Sequence, residues 1–211
     1  MPMTQSLASH IDDTDAALVA HVVAGERDLF GILVQRYNQR LYRACRAILR
    51  DDQDAEDAVQ GAWIKAYRHL ATFRGDAAFP TWLTRIAIRE ATDRKRVESH
   101  LVAVDAIEQV TISDEPTPDR STFSAELGRL FERRLDELPD GMRSVLLLRD
   151  VLELDTAETA HCLGIREEAV RVRLHRARQA LADVVDHGLT EAFRFDGARC
   201  ARIHAAVMAA I

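Results

Sequence analysis

The chain has 211 residues, of which 47% are apolar, 6% aromatic and 29% charged, with a formal net charge of −6. That apolar share is enough for one or two hydrophobic cores, yet no apolar run reaches the roughly 18 residues that cross a bilayer, which excludes an apolar membrane-spanning helix. Scarce glycine and proline, with long stretches of 3.6-residue period, point to an all-α protein.

The opening "MPMTQSLASHIDDTD" lacks the basic and apolar regions of a signal peptide. Cys45, Cys162 and Cys200 are odd in number and far apart, which suits a reducing compartment and a cytoplasmic location. A first helix is predicted from Thr14 or Asp15 to Gly25, and a second over 26–50, with Leu29, Leu33, Tyr37, Leu41, Ala44 and Ile48 as its apolar stripe. In "DDQDAEDAVQGAWIKAYRHLATF" acids crowd the start, where the helix dipole favours them, and Ala55, Val59, Ala62, Ala66 and Leu70 mark a third helix. "RGDAAF" reads as a loop. Pro80 suits the first turn of a fourth helix over 80–96 that buries Leu83, Ile86, Ala87 and Ala91 and ends in "DRKR".

Residues 97–119 hold six acids and no lysine or arginine, which accounts for the whole charge imbalance. With "EPTPD", this reads as an acidic linker. A second helical group follows over 122–137, 139–150, 155–163 and 167–185, and then a tail with one more amphipathic helix anchored by Ile203, Val207 and Ile211. The predicted organisation is therefore two small helical domains: 12–97, an acidic linker 98–121, a second domain 122–186 and a helical tail 187–211.

"LDTAETAHCLGIREEAVRVRLHRARQAL" carries the chemistry. Asp155 caps a helix and Glu158 completes a capping-box pair; Gly164 supplies a turn and Ile165 anchors it. In the second helix Val170, Leu174, Ala177 and Leu181 form one apolar stripe at about 100° per residue, leaving Arg171, Val172, His175, Arg176 and Gln179 on the other side. This is the pattern of a helix-turn-helix whose second helix enters a DNA major groove about 12 Å wide. Arginine suits that role, because its planar fork pairs with guanine or grips phosphate. Arg166 stands where a capping Ser, Thr or Asp is expected.

From "LDELPDGMRSVLLLRDVLELDTAETAHCLGIREEAVRVRLHRARQAL" this region resembles the C-terminal promoter-reading domain of bacterial RNA polymerase sigma factors. "DAEDAVQGAWIKAYRHLATFRGDAAFPTWLTRIAIREATDRKR" resembles the N-terminal domain of the compact extracytoplasmic-function group of the same family. The resemblance implies a sigma factor that binds core RNA polymerase and promoter DNA, without catalysis or a cofactor of its own. It implies a core-polymerase surface of Asp54, Glu56, Asp57, Gln60 and Trp63, with Trp63 open to a second reading as core and Gly61 standing where the family usually has an acid. It further implies a minus-ten site: Arg74 to Phe79 shape a base pocket, Trp82 stacks at the duplex fork or belongs to the core, and Arg85, Arg89, Arg94, Lys95 and Arg96 follow the DNA backbone. For the minus-thirty-five element the matching positions are Arg171, Val172, His175 and Arg176, with Arg173 and Arg178 flanking them towards phosphates.

The acidic linker either imitates nucleic acid inside the polymerase or simply solubilises. Cys200 and His204, one turn apart, are too few for a metal site, and Cys200 is assigned to the core. An anti-sigma protein is a common partner in the family, though no residue here identifies one. The competing readings are a helix-turn-helix regulator acting without the polymerase, which would need no acidic third helix, and a purely structural helical protein, which would not bind DNA.

Overall fold

A computed structural model describes residues 9–104, 132–182 and 197–211, with backbone alone for 97–104. Every regular element among the described residues is helical, as expected of an all-α chain. The chain divides into two compact units: one holds the sequence up to Glu90 together with the C-terminal helix, and the other begins at Ala91.

In the first unit, α1 spans Asp15–Val23, capped by the Thr14 hydroxyl, which accepts from the Ala17 N–H at 3.3 Å. Gly25, at φ 111°, turns the chain out of it. The predicted second helix is divided. A 3-10 turn at Arg27–Leu29 leads into α2, Phe30–Arg46. Helix α3, Asp52–His69, starts at the Asp51 side chain, which accepts from the Asp54 N–H at 2.9 Å. Its small buried residues, Ala55, Ala58, Val59, Ala62 and Ala66, let α2 pack closely on it. Helix α4, Phe79–Val104, runs beyond the predicted end near 96, so the first residues assigned to the acidic linker continue its helical backbone. The remainder of that linker lies outside the described residues.

In the second unit, residues 132–137 are helical and α5 spans Asp140–Leu146. It then widens into a π turn at Leu147–Val151, closed by the Leu152 N–H to the Leu147 carbonyl at 3.0 Å. Arg143, on α5 itself, is fully buried and is held by Asp136 at 3.0 Å and Asp140 at 3.5 Å. Helix α6, Thr156–Leu163, and α7, Glu167–Ala180, pack on each other, and α7 also packs on α5.

The final helix, α8, Gly197–Ala210, returns to the first unit and lies against α2 and α3. Ile203 and Val207 are fully buried there, as the apolar anchors require, while Ile211 remains partly exposed.

Candidate nucleic-acid and protein interfaces

The α6–α7 pair is built by local chemistry. Asp155 accepts from the Glu158 N–H at 2.7 Å, and Glu158 returns the bond to the Asp155 N–H at 3.1 Å, completing the capping box. Gly164 ends α6 in the left-handed region at φ 63°, where a side chain is disfavoured. Arg166 provides no side-chain cap for α7, as the sequence indicates.

On α7, Val170, Leu174, Ala177 and Leu181 are buried while Arg171, Val172, His175 and Arg176 are exposed. Val172 is 49% exposed. The arginines differ. Arg176 has no partner among the described residues. Arg171 is tethered to Glu167 and Glu168 on its own helix, at 3.4 and 3.2 Å. Arg178 is forked onto Asp150 with bonds of 2.9 and 2.6 Å, so a phosphate must compete with that carboxylate. Arg173 lies over Gly141, where a Cβ would come within 2.9 Å of its guanidinium. That position accounts for its half-burial.

The acidic face of α3 is less open than the sequence suggests. Trp63 is fully buried: its indole N–H donates to Asn38 Oδ1 at 2.8 Å, and its ring meets Phe30 edge to face at 5.5 Å. Of its two readings, contact surface and core, the structure supports core. Glu56 is buried as well, against the expectation of an exposed contact, because Arg199 approaches it at 2.7 Å and Arg202 at 3.1 Å from α8. Asp54, Asp57 and Gln60 keep partial exposure. Gly61 has a local reason: the Glu90 carboxylate, paired with Lys65, occupies the space a Cβ would need.

Asp52 sits at the same end of α3. Burial works against its charge, but the hydrogen bond and field of Arg46, with Tyr42 and Arg199, prevail and hold its carboxyl below the ordinary value. Arg199 completes this cluster, bonded to the Tyr42 hydroxyl and to Asp52 at 3.1 Å. Neither Arg199 nor Arg202 was singled out in the sequence. Two arginines at i and i+3 flanking the apolar Ile203 and Val207 are the available signal, and it names no partner by itself.

Around the "RGDAAF" loop, where Arg74 to Phe79 are expected to shape a base pocket, Phe79 is buried. It packs with Phe73 at 5.5 Å, Trp82 at 5.6 Å and Tyr37 at 5.9 Å, and so braces the loop from beneath. Trp82 is half-buried at the margin of this cluster, 5.2 Å from Phe73. Arg74 and Arg89 are exposed and have no partner among the described residues. Arg85 and Arg94 are half-buried. Lys95 pairs with Asp140 within the second unit, and Arg96 lies 3.6 Å from Asp93.

Among the described residues, His10, Asp13 and His21 place possible metal-ligand atoms within 4.8 Å of one another. Both rings already have carboxylate partners, His10 with Asp13 at 2.6 Å and His21 with Glu26 at 2.7 Å. Cys200 and His204 face different neighbours: Asn38 approaches Cys200 Sγ at 3.5 Å, and His204 lies over Gly31.

Comparison with known proteins agrees with this arrangement. Residues 33–100 match sigma-70 region 2 and residues 128–181 match sigma-70 region 4. The RNA polymerase sigma-H factor of Pseudomonas aeruginosa is 33% identical over 189 residues, covering 85% of this chain and 98% of its own. The ECF RNA polymerase sigma factor SigM of Mycobacterium tuberculosis is 36% identical over 175 residues, covering 82% and 86%. The fold is shared with the sigma factor RpoE of Bartonella quintana, solved with the anti-sigma factor NepR (TM-score 0.57, 20% identity, 76% of this chain and 97% of that one). It is also shared with CnrH, solved with the cytosolic domain of CnrY (TM-score 0.53, 27% identity, 82% and 98%). Two family regions in their family order, with relatives matched over most of their length, establish that this chain belongs to the extracytoplasmic-function group of sigma-70 RNA polymerase sigma factors and is a transcription initiation factor, not an enzyme.

Proposed function

We propose that the chain directs promoter-specific initiation through a division of labour between its two units, with 12–97 serving core polymerase and minus-ten binding and 122–186 serving minus-thirty-five binding. Asp54, Asp57 and Gln60 on α3 supply the open acidic surface for core polymerase. The loop at Arg74–Ala78, braced by Phe79 and Phe73, receives a base drawn from the opened minus-ten strand, and Trp82 stacks at its margin. Arg85, Arg89, Arg94, Lys95 and Arg96 track phosphates. Helix α7 enters the major groove at the minus-thirty-five element, with Arg176 and His175 reading base edges and Arg171, Arg173 and Arg178 steadying the backbone.

The observation that carries this reading is the sidedness of α7: its apolar stripe is buried while Arg171, Val172, His175 and Arg176 point outward. The protein acts in the cytoplasm, where core polymerase works; no helix among the described residues is long and apolar enough to cross a membrane. An anti-sigma protein is the further partner that the two structural neighbours suggest, since NepR and the cytosolic domain of CnrY were each solved on such a fold.

The test is promoter binding by holoenzyme assembled with Arg176→Ala. Loss of a base contact costs about 1–3 kcal/mol and relaxes preference at one position. Equal weakening on every promoter sequence would reduce Arg176 to a phosphate contact.

A further inference from the structure

The α3 surface assigned to core polymerase is partly occupied by the protein's own C-terminus. Glu56, one of its carboxylates, is 7% exposed at the side chain because Arg199 and Arg202 of α8 close on it. Arg199 also reaches Asp52 at the start of α3, bonds the Tyr42 hydroxyl and lies over the Tyr42 ring, 5.0 Å from its centroid. Beneath these polar contacts Ile203 and Val207 are fully buried. Asn38 donates to the Cys200 carbonyl at 3.4 Å while accepting from Trp63. The tail helix is thus seated by charge, by hydrogen bonds and by apolar contact together.

From this juxtaposition of Arg199 and Arg202 with Glu56 we infer that α8 is an intramolecular ligand of the polymerase-binding face of α3, and that full engagement of core polymerase requires α8 to leave. The inference rests on the assignment of the acidic α3 face to core polymerase. The physical reason is competition for one charge pattern. A helix with acids at its start selects a cationic partner, and α8 already supplies two guanidinium groups to that end. A tethered segment acts at an effective concentration on the order of millimolar, so the polymerase must displace a strong local competitor. The apparent affinity for core then scales with the fraction of molecules whose tail is undocked.

Hydrogen exchange on the full chain, alone and with core polymerase, tests this directly. The expected result is that amides of 197–210 lose protection as those of α3 gain it. A parallel measurement of core affinity uses the full-length double variant Arg199→Ala, Arg202→Ala. If about one molecule in ten is undocked in the natural protein, the variant binds core about tenfold more tightly. Retained protection of α8 in the complex, or unchanged core affinity of the double variant, overturns the inference and makes α8 a permanent part of the domain. Asp57→Lys separates the two levels, because it alters the α3 face while leaving Arg199 and Arg202 of α8 in place. If that variant binds core normally, the assignment of the α3 face fails; if it binds core poorly while α8 of the natural chain stays protected in its complex with core, only the tail inference fails.

Discussion

Trp63 and Asn38 show how a single polar pair decides what an aromatic residue does. The indole N–H is satisfied by Asn38 Oδ1 at 2.8 Å, in a site where both residues are wholly buried. Asn38→Ala removes that acceptor, and an unpaired buried donor costs about 1–3 kcal/mol; chemical denaturation is expected to show a loss of that size, with the fold retained. The sequence alone left Trp63 between core and contact, because it lies off the centre of its helix stripe and because its partner is an asparagine, a residue that apolar patterning assigns to the surface. The burial of Glu56 was not legible for the matching reason: its partners, Arg199 and Arg202, are about 145 residues away in sequence. Asp52 carries a pH signature. Its folded carboxyl lies below the unfolded value of about 3.9, so its stabilising contribution is complete above that pH and fades as pH falls through the folded value. Trp63 fluorescence followed in acid is expected to report loosening of the first unit below about pH 4, and Asp52→Asn is expected to weaken that acid dependence.

At the scale of elements, ends were legible where a local signal sets them. Thr14, Asp51 and Asp155 cap their helices through their own side chains, and Gly164 ends α6 with a positive φ. Asp155→Ala is expected to cost about 1 kcal/mol, and Gly164→Ala a comparable amount through its left-handed backbone; thermal melting measures both. The two changes should add less than fully if they loosen the same short helix. Elements whose limits depend on distant packing were not legible. Helix α4 continues to Val104, into the start of the acidic segment that suggested a linker. The predicted helix over 139–150 widens at Leu147–Val151, where Leu147 and Leu148 are both buried and Arg149 bonds the Leu154 carbonyl. The sidedness of α7 was legible in full, because four buried positions at helical spacing fix the orientation of every other side chain on it.

Over the whole molecule, a net charge of −6 hides separate demands. One helix carries acids at its start, whereas another turns arginines outward, and neither can be inferred from the total. The all-α class and the order of the two helical groups were legible from periodicity and from the acidic segment between them. The docking of α8 on α2 and α3 was not, since a short amphipathic helix carries no address for the face it covers. The central claim is that this chain supplies promoter choice to a polymerase that does the chemistry. Run-off transcription with purified core polymerase and this full-length chain tests it most directly. Discrete transcripts from selected promoters, absent with core alone, are the expected result; transcription that stays unchanged when the chain is added across a genomic promoter library would contradict it.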